Sequence, residues 1–115
     1  MNGCVLRASG RRFSAKRYLA TSTFTAELAG ENSFEFAVSH CGPGDPTGQI
    51  ADAERFLSAK QLNLERLFAF PGVERVALVF HLSGDDIGSF NVPARLCAAL
   101  GKHGLELEVC VVRSA

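Results

Sequence analysis

The spacing of hydrophobic positions changes several times along the chain, and each change predicts an element. Cys4 to Ser9 reads as a first strand, and Gly10 to Arg12 as a turn. Ser14 is placed to cap a short helix over about Ala15 to Thr21. Phe13 before the cap and Tyr18 four residues after it have the spacing of a hydrophobic staple. Thr21 to Leu28, rich in Thr and Phe, suits a short second strand. Gly30 to Asn32 has hairpin-turn chemistry. Ser33 to His40 then alternates strictly, with Phe34, Phe36, Val38 and His40 sharing one face.

The second half reads as helix, strand, helix, strand. From about Gln49 to Phe70, Ile50, Ala53, Phe56, Leu57, Leu64, Leu67 and Phe68 form a helical stripe. Lys60 and Gln61 interrupt it and Leu62 points away, which predicts a break near Ala59 to Asn63, with Asn63 able to cap a new turn. Pro71-Gly72 stops the helix. Arg75 to Leu82 is apolar on both faces and is expected to be a central strand. A helix from Asn91 to His103 is predicted, capped by Asn91, with Pro93 in its first turn and Gly104 after its end. The closing strand, Leu105 to Arg113, sets Leu105, Leu107, Val109 and Val111 on the expected buried face, against Glu106, Glu108, Cys110 and Val112. The order β-α-β-β-α-β, then α-β, predicts an α+β fold. It would have a ferredoxin-like βαββαβ core extended by one αβ unit, a mostly antiparallel sheet and helices on one face.

A length of 115 residues with 47% hydrophobic content predicts one domain over residues 1–115 with a single core. No apolar run is long enough to cross a membrane, and the first residues lack the apolar stretch of a signal peptide. The expected address is cytoplasmic, with reduced cysteines. The 12 basic and 12 acidic residues balance overall. Their distribution does not: Arg7, Arg11, Arg12, Lys16 and Arg17 all precede the first acid, Glu27. This basic end is a candidate for binding an anion or a partner. Phe13 and Tyr18 lie among these arginines, where they could stack on bases. No RNA-binding signature accompanies them, which weighs against nucleic acid.

Other motifs carry less chemistry. The loop Cys41 to Gly48 lies between a strand and a helix, where phosphate loops lie, but Pro43 and Pro46 remove two backbone donors and no Lys-Ser/Thr follows. Helix initiation at Asp45-Pro46 explains it better. The four cysteines and three histidines show no C-x-x-C or H-x₃-H pair, so no metal site and no cofactor are expected. Asp85-Asp86 follows a strand in good turn chemistry. His81 and Cys110 lie on strands that could be neighbours. A ligand site built from His81, Glu106, Glu108 and Cys110 is therefore one alternative, and a Cys-His nucleophile its sharpest form.

Three segments also carry a resemblance: Gly3 to Gly10, Gln49 to Leu57 with Leu67 to Val73, and Leu100 to Leu107. They are similar to small bacterial proteins grouped in or near the "domain of unknown function 4279" family. The resemblance implies a small intracellular bacterial α+β domain and supplies no catalytic residues.

With no catalytic constellation standing out, the chain is expected to be a binding module rather than an enzyme. Its partner would be another protein or a second copy of itself. The final strand is a possible open edge, and a sheet face bearing Val79, His81, Cys110 and Val112 a possible dimer surface.

Overall fold

The computed structural model describes residues 3–22 and 24–112. Five strands form one sheet: β1 (Cys4–Ser9), β2 (Glu27–Gly30), β3 (Ser33–Ser39), β4 (Arg75–Ser83) and β5 (Glu106–Val112). Their spatial order is β2-β3-β1-β4-β5. β1 pairs antiparallel with both β3 and β4, β2 pairs antiparallel with β3, and β5 alone pairs parallel, with β4. Four helices complete the α+β architecture: α1 (Ala15–Thr21), α2 (Pro46–Ala59), α3 (Gln61–Ala69) and α4 (Ala94–His103). A 3₁₀ turn, Ile87–Ser89, precedes α4. Arg113, expected at the end of the last strand, lies outside the described residues.

All four helices pack on one face. Cys4, Leu6 and Ala8 of β1, Phe34 of β3, and Val76, Leu78 and Phe80 of β4 join helix residues such as Tyr18, Phe56, Leu64 and Leu96 in one core. Aromatic rings organise it. Phe13 lies against Tyr18, Phe34 and Phe70, and Phe24 against Phe36 and Phe56. Burial pushes the Cys4 thiol up to about 12, which marks it as an inert core residue.

Local signals set most boundaries. The Ser14 side chain accepts a hydrogen bond from the Arg17 N–H, and Phe13 meets Tyr18 as the staple spacing requires. The break between α2 and α3 falls at Lys60, and Leu62 is left exposed. Asn63 lies inside α3, which starts without a side-chain cap. Gly104 ends α4 with φ of 70°, the left-handed conformation a non-glycine residue resists.

Three boundaries differ from expectation, each for a physical reason. α4 begins at Ala94 with Pro93 as its N-cap, three residues beyond Asn91. Val92 precedes a proline, whose ring disfavours helical backbone there, so Asn91 cannot start the helix. β2 occupies Glu27–Gly30 rather than 21–28, because α1 runs to Thr21 and Phe24 is drawn into the core by Phe36 and Phe56. Thr23 lies outside the described residues. β3 ends at Ser39, leaving His40 exposed beyond the strand.

Candidate functional site

The face of the sheet without helices is closed by its own side chains. Arg7 of β1 donates from Nε to Glu35 of β3 at 2.8 Å and from Nη1 to Glu108 of β5 at 3.1 Å. Arg75 of β4 donates to both carboxylate oxygens of Glu106, at 2.9 and 3.1 Å, and lies 3.6 Å from Glu108. The Arg75 hydrogen bond holds the Glu106 carboxyl below its usual range. This chain of ion pairs crosses β3, β1, β4 and β5. Beneath it Val79 is 0% exposed and Ala77 4%. The face expected to need an apolar cover through Val79, His81, Cys110 and Val112 is therefore not bare, because long charged side chains lie over its small residues.

Of the candidate ligand set, His81 and Cys110 are register neighbours on β4 and β5, and both are half-buried. The His81 Nδ1 lies 3.2 Å from the Gly3 carbonyl oxygen, and among the described residues no hydrogen bond joins the imidazole to the thiol. Glu106 and Glu108 share that face but are engaged by Arg75 and Arg7. The four residues thus split into a His81–Cys110 neighbourhood and an ion-paired one.

The basic residues also separate. Arg7 belongs to the open-face ion pairs, and Arg11 receives Glu74 as its partner. Arg12 and Lys16 line an open hollow of about 640 Å³ with Phe13, Leu28, Glu31 and Asn32, while Arg17 is exposed on α1. The Phe13 and Tyr18 rings are buried and cannot stack on a base.

The loop between β3 and α2 performs structural work. Asp45 caps α2 by accepting from the Gly48 N–H at 2.9 Å. Gln49, fully buried, donates through Nε2 to the carbonyls of Gly42 and His81, each at 2.8 Å. The Ser83 N–H donates to the Pro43 carbonyl. Nearby, Ser39 and Cys41 both donate to Asp52, which also holds Arg55. Asp86 accepts from the Ser83 hydroxyl within the turn after β4. Among the described residues, no three His, Cys, Asp or Glu side chains gather as metal ligands would. No helix among them is long and apolar enough to cross a membrane.

Replacing Gln49 by leucine is expected to lower stability by about 2 kcal/mol, because two part-buried carbonyls lose the amide donor. The loss sits at the low end of a two-bond deletion, since the Gln49 Oε1 has no partner among the described residues and its burial cost disappears too. Urea unfolding would measure it, and a loss within about 0.5 kcal/mol would show that the amide does not hold the loop.

The most distinctive surface is β5. Its register places Leu107, Val109 and Val111 beside Leu78, Phe80 and Leu82 on the helix-bearing face. The β4 residues are 0% exposed, yet Leu107, Val109 and Val111 are 39%, 38% and 54% exposed. Of the expected buried face, Leu105 is buried, but Leu107, Val109 and Val111 form the more exposed side of the strand. The core residues of α4, Leu96 and Leu100, leave the edge row uncovered. The outer side of β5 pairs with no strand among the described residues. The two edges contrast. β2 is four residues long with a register shift between Leu28 and Gly30, features that blunt an edge. β5 runs seven residues in unbroken register, has no Pro or Lys, and turns both its acids to the other face.

Fold and site together define a small α+β domain with one blunted sheet edge, β2, and one edge, β5, that is unpaired among the described residues. No family model, no curated protein and no solved structure matches the chain.

Proposed function

We propose that this chain is a protein-interaction module, without a catalytic step, that takes up its partner by strand addition along β5. The observation carrying this reading is the row Leu107, Val109 and Val111, exposed beside an unpaired strand edge. Backbone groups along such an edge supply affinity, and alternate side chains supply specificity. The reading includes a ferredoxin-like core, supported by the order β2-β3-β1-β4 and its antiparallel pairs, with α4 and β5 as the extension. It also keeps the resemblance carried by Gly3 to Gly10, Gln49 to Leu57 with Leu67 to Val73, and Leu100 to Leu107, to proteins in or near the domain of unknown function 4279 family. A cytoplasmic address accords with four cysteines that all carry free thiols.

The test is capture from the host lysate with tagged wild-type chain and tagged Val109→Lys side by side. A stoichiometric partner held by the wild type, whether a second copy or another protein, should be lost with the lysine. Retention of every partner by Val109→Lys would overturn β5 as the interaction edge.

A further inference from the structure

We infer that the partner of β5 is a second copy of this chain, joined by antiparallel β5–β5 pairing about a twofold axis at Val109. This rests on the interaction-edge reading and names its occupant. The seven residues of β5 run from Glu106 to Val112, so Val109 is the middle one. A twofold axis there sets Val109 against the partner's Val109 and Leu107 against the partner's Val111. The exposed row of one copy then meets the same row of the other over its whole length, all on the helix-bearing face.

Strand geometry selects this arrangement, and charge does not oppose it. In the antiparallel register Glu108 faces the partner's Cys110 and Glu106 faces the partner's Val112, so no carboxylate opposes another. Parallel pairing through the same free edge would turn one copy over and carry its Leu107, Val109 and Val111 to the opposite face, so only the antiparallel arrangement joins the two exposed rows. The carboxylates are already drawn inward by Arg75 and Arg7, and zero formal net charge leaves no overall repulsion between copies.

The helix above the edge fits the same axis. Arg95, Ala99, Lys102 and His103 of α4 face α2 and α3 across a hollow. At 100° per residue the opposite side of α4 carries Ala94, Cys97 and Gly101, which are small and exposed. Two α4 helices could therefore approach above the joined strands without long side chains between them. The contact is one strand and one helix flank per copy. It belongs at the small end of specific interfaces, and the dimer should be reversible.

Sedimentation velocity on the purified full chain, from low micromolar to about a hundred micromolar, should show the 12.3 kDa monomer giving way to a species of twice that mass. Val109→Lys, which sets two lysines face to face at the axis, should weaken association by on the order of tenfold or more. A second measurement does not depend on that variant. In a Cys97→Ser, Cys110→Ser background, Val109→Cys should form a covalent dimer under mild oxidation. Facing residues in an antiparallel pair lie about 4.5–5.5 Å apart at Cα, within disulfide reach. Leu107→Cys should not, since the axis separates it from its copy by about 13 Å along the strand. A purified chain that stays monomeric throughout would overturn the second copy as partner. A foreign protein captured by wild type and lost with Val109→Lys would in that case leave the interaction edge standing. A dimer indifferent to Val109→Lys, or cross-linked through Leu107→Cys and not Val109→Cys, would overturn the proposed axis.

Discussion

Replacing Phe13 by alanine is expected to destabilise the fold by about 3–5 kcal/mol, the range for emptying a buried aromatic site. Phe13 is 0% exposed and belongs to no helix or strand, yet it joins three elements. Its ring centroid lies 6.2 Å from that of Tyr18 on α1, 6.1 Å from Phe34 on β3 and 5.9 Å from Phe70 at the end of α3. Truncation leaves a cavity with rigid walls on several sides, where collapse is least able to recover lost contacts. Urea unfolding of the variant against wild type would measure the loss, at unchanged m-value if the transition stays two-state. A cost below about 1.5 kcal/mol would mean that α1 moves in to fill the space, and that the staple is softer than its packing indicates.

Gly72→Ala is the second large effect, and its origin is the backbone. Gly72 has φ of 90°, and a Cβ there would lie 2.4 Å from the Arg12 carbonyl oxygen and 2.7 Å from the Phe13 nitrogen. The substitution meets two obstacles: a conformation that costs an L-residue about 1–2 kcal/mol, and a backbone that cannot swing aside as a flexible side chain would. The combined loss should be about 3 kcal/mol. Gly42→Ala is the matched control, since nothing lies within 4 Å of a Cβ at Gly42. Equal midpoints for the two variants in thermal or urea unfolding would show that the turn between α3 and β4 shifts freely.

Both predictions concern the same junction, where the β1–α1 turn docks on the α3–β4 turn. The candidate edge lies elsewhere. β5 is tied to the core by Leu105, the residue before it, and by its pairing with β4, so Val109→Lys should alter association while leaving unfolding nearly unchanged. A variant that changes assembly without changing stability separates an interface from a core position, and the exposure of Val109 is what allows that separation.

Within the candidate site, the sequence carried the alternation of β5 and the pairing of His81 with Cys110 on one face. It did not carry the ion pairs that engage Glu106 and Glu108. Arg7 and Glu108 are 101 positions apart, and no local pattern announces such a meeting. Facing direction alone groups the four residues of the ligand set. The structure added arginines from β1 and β4, which engage the two acids in ion pairs.

The sequence by itself determined most of the places where elements start and stop, because those signals act over a few residues. Ser14 finds the Arg17 N–H, Asp45 finds the Gly48 N–H, and Gly104 supplies a left-handed φ. It likewise determined which side chains share a face, since alternation along a strand is a property of the strand alone. Only the tertiary structure decided which face is covered. Leu78 and Leu107 are equivalent residues on neighbouring strands, one fully buried and one 39% exposed. The difference lies in the reach of α4 and the absence of a strand beyond β5 among the described residues. Burial is decided by neighbours distant in sequence, and for β5 those neighbours stop one strand short.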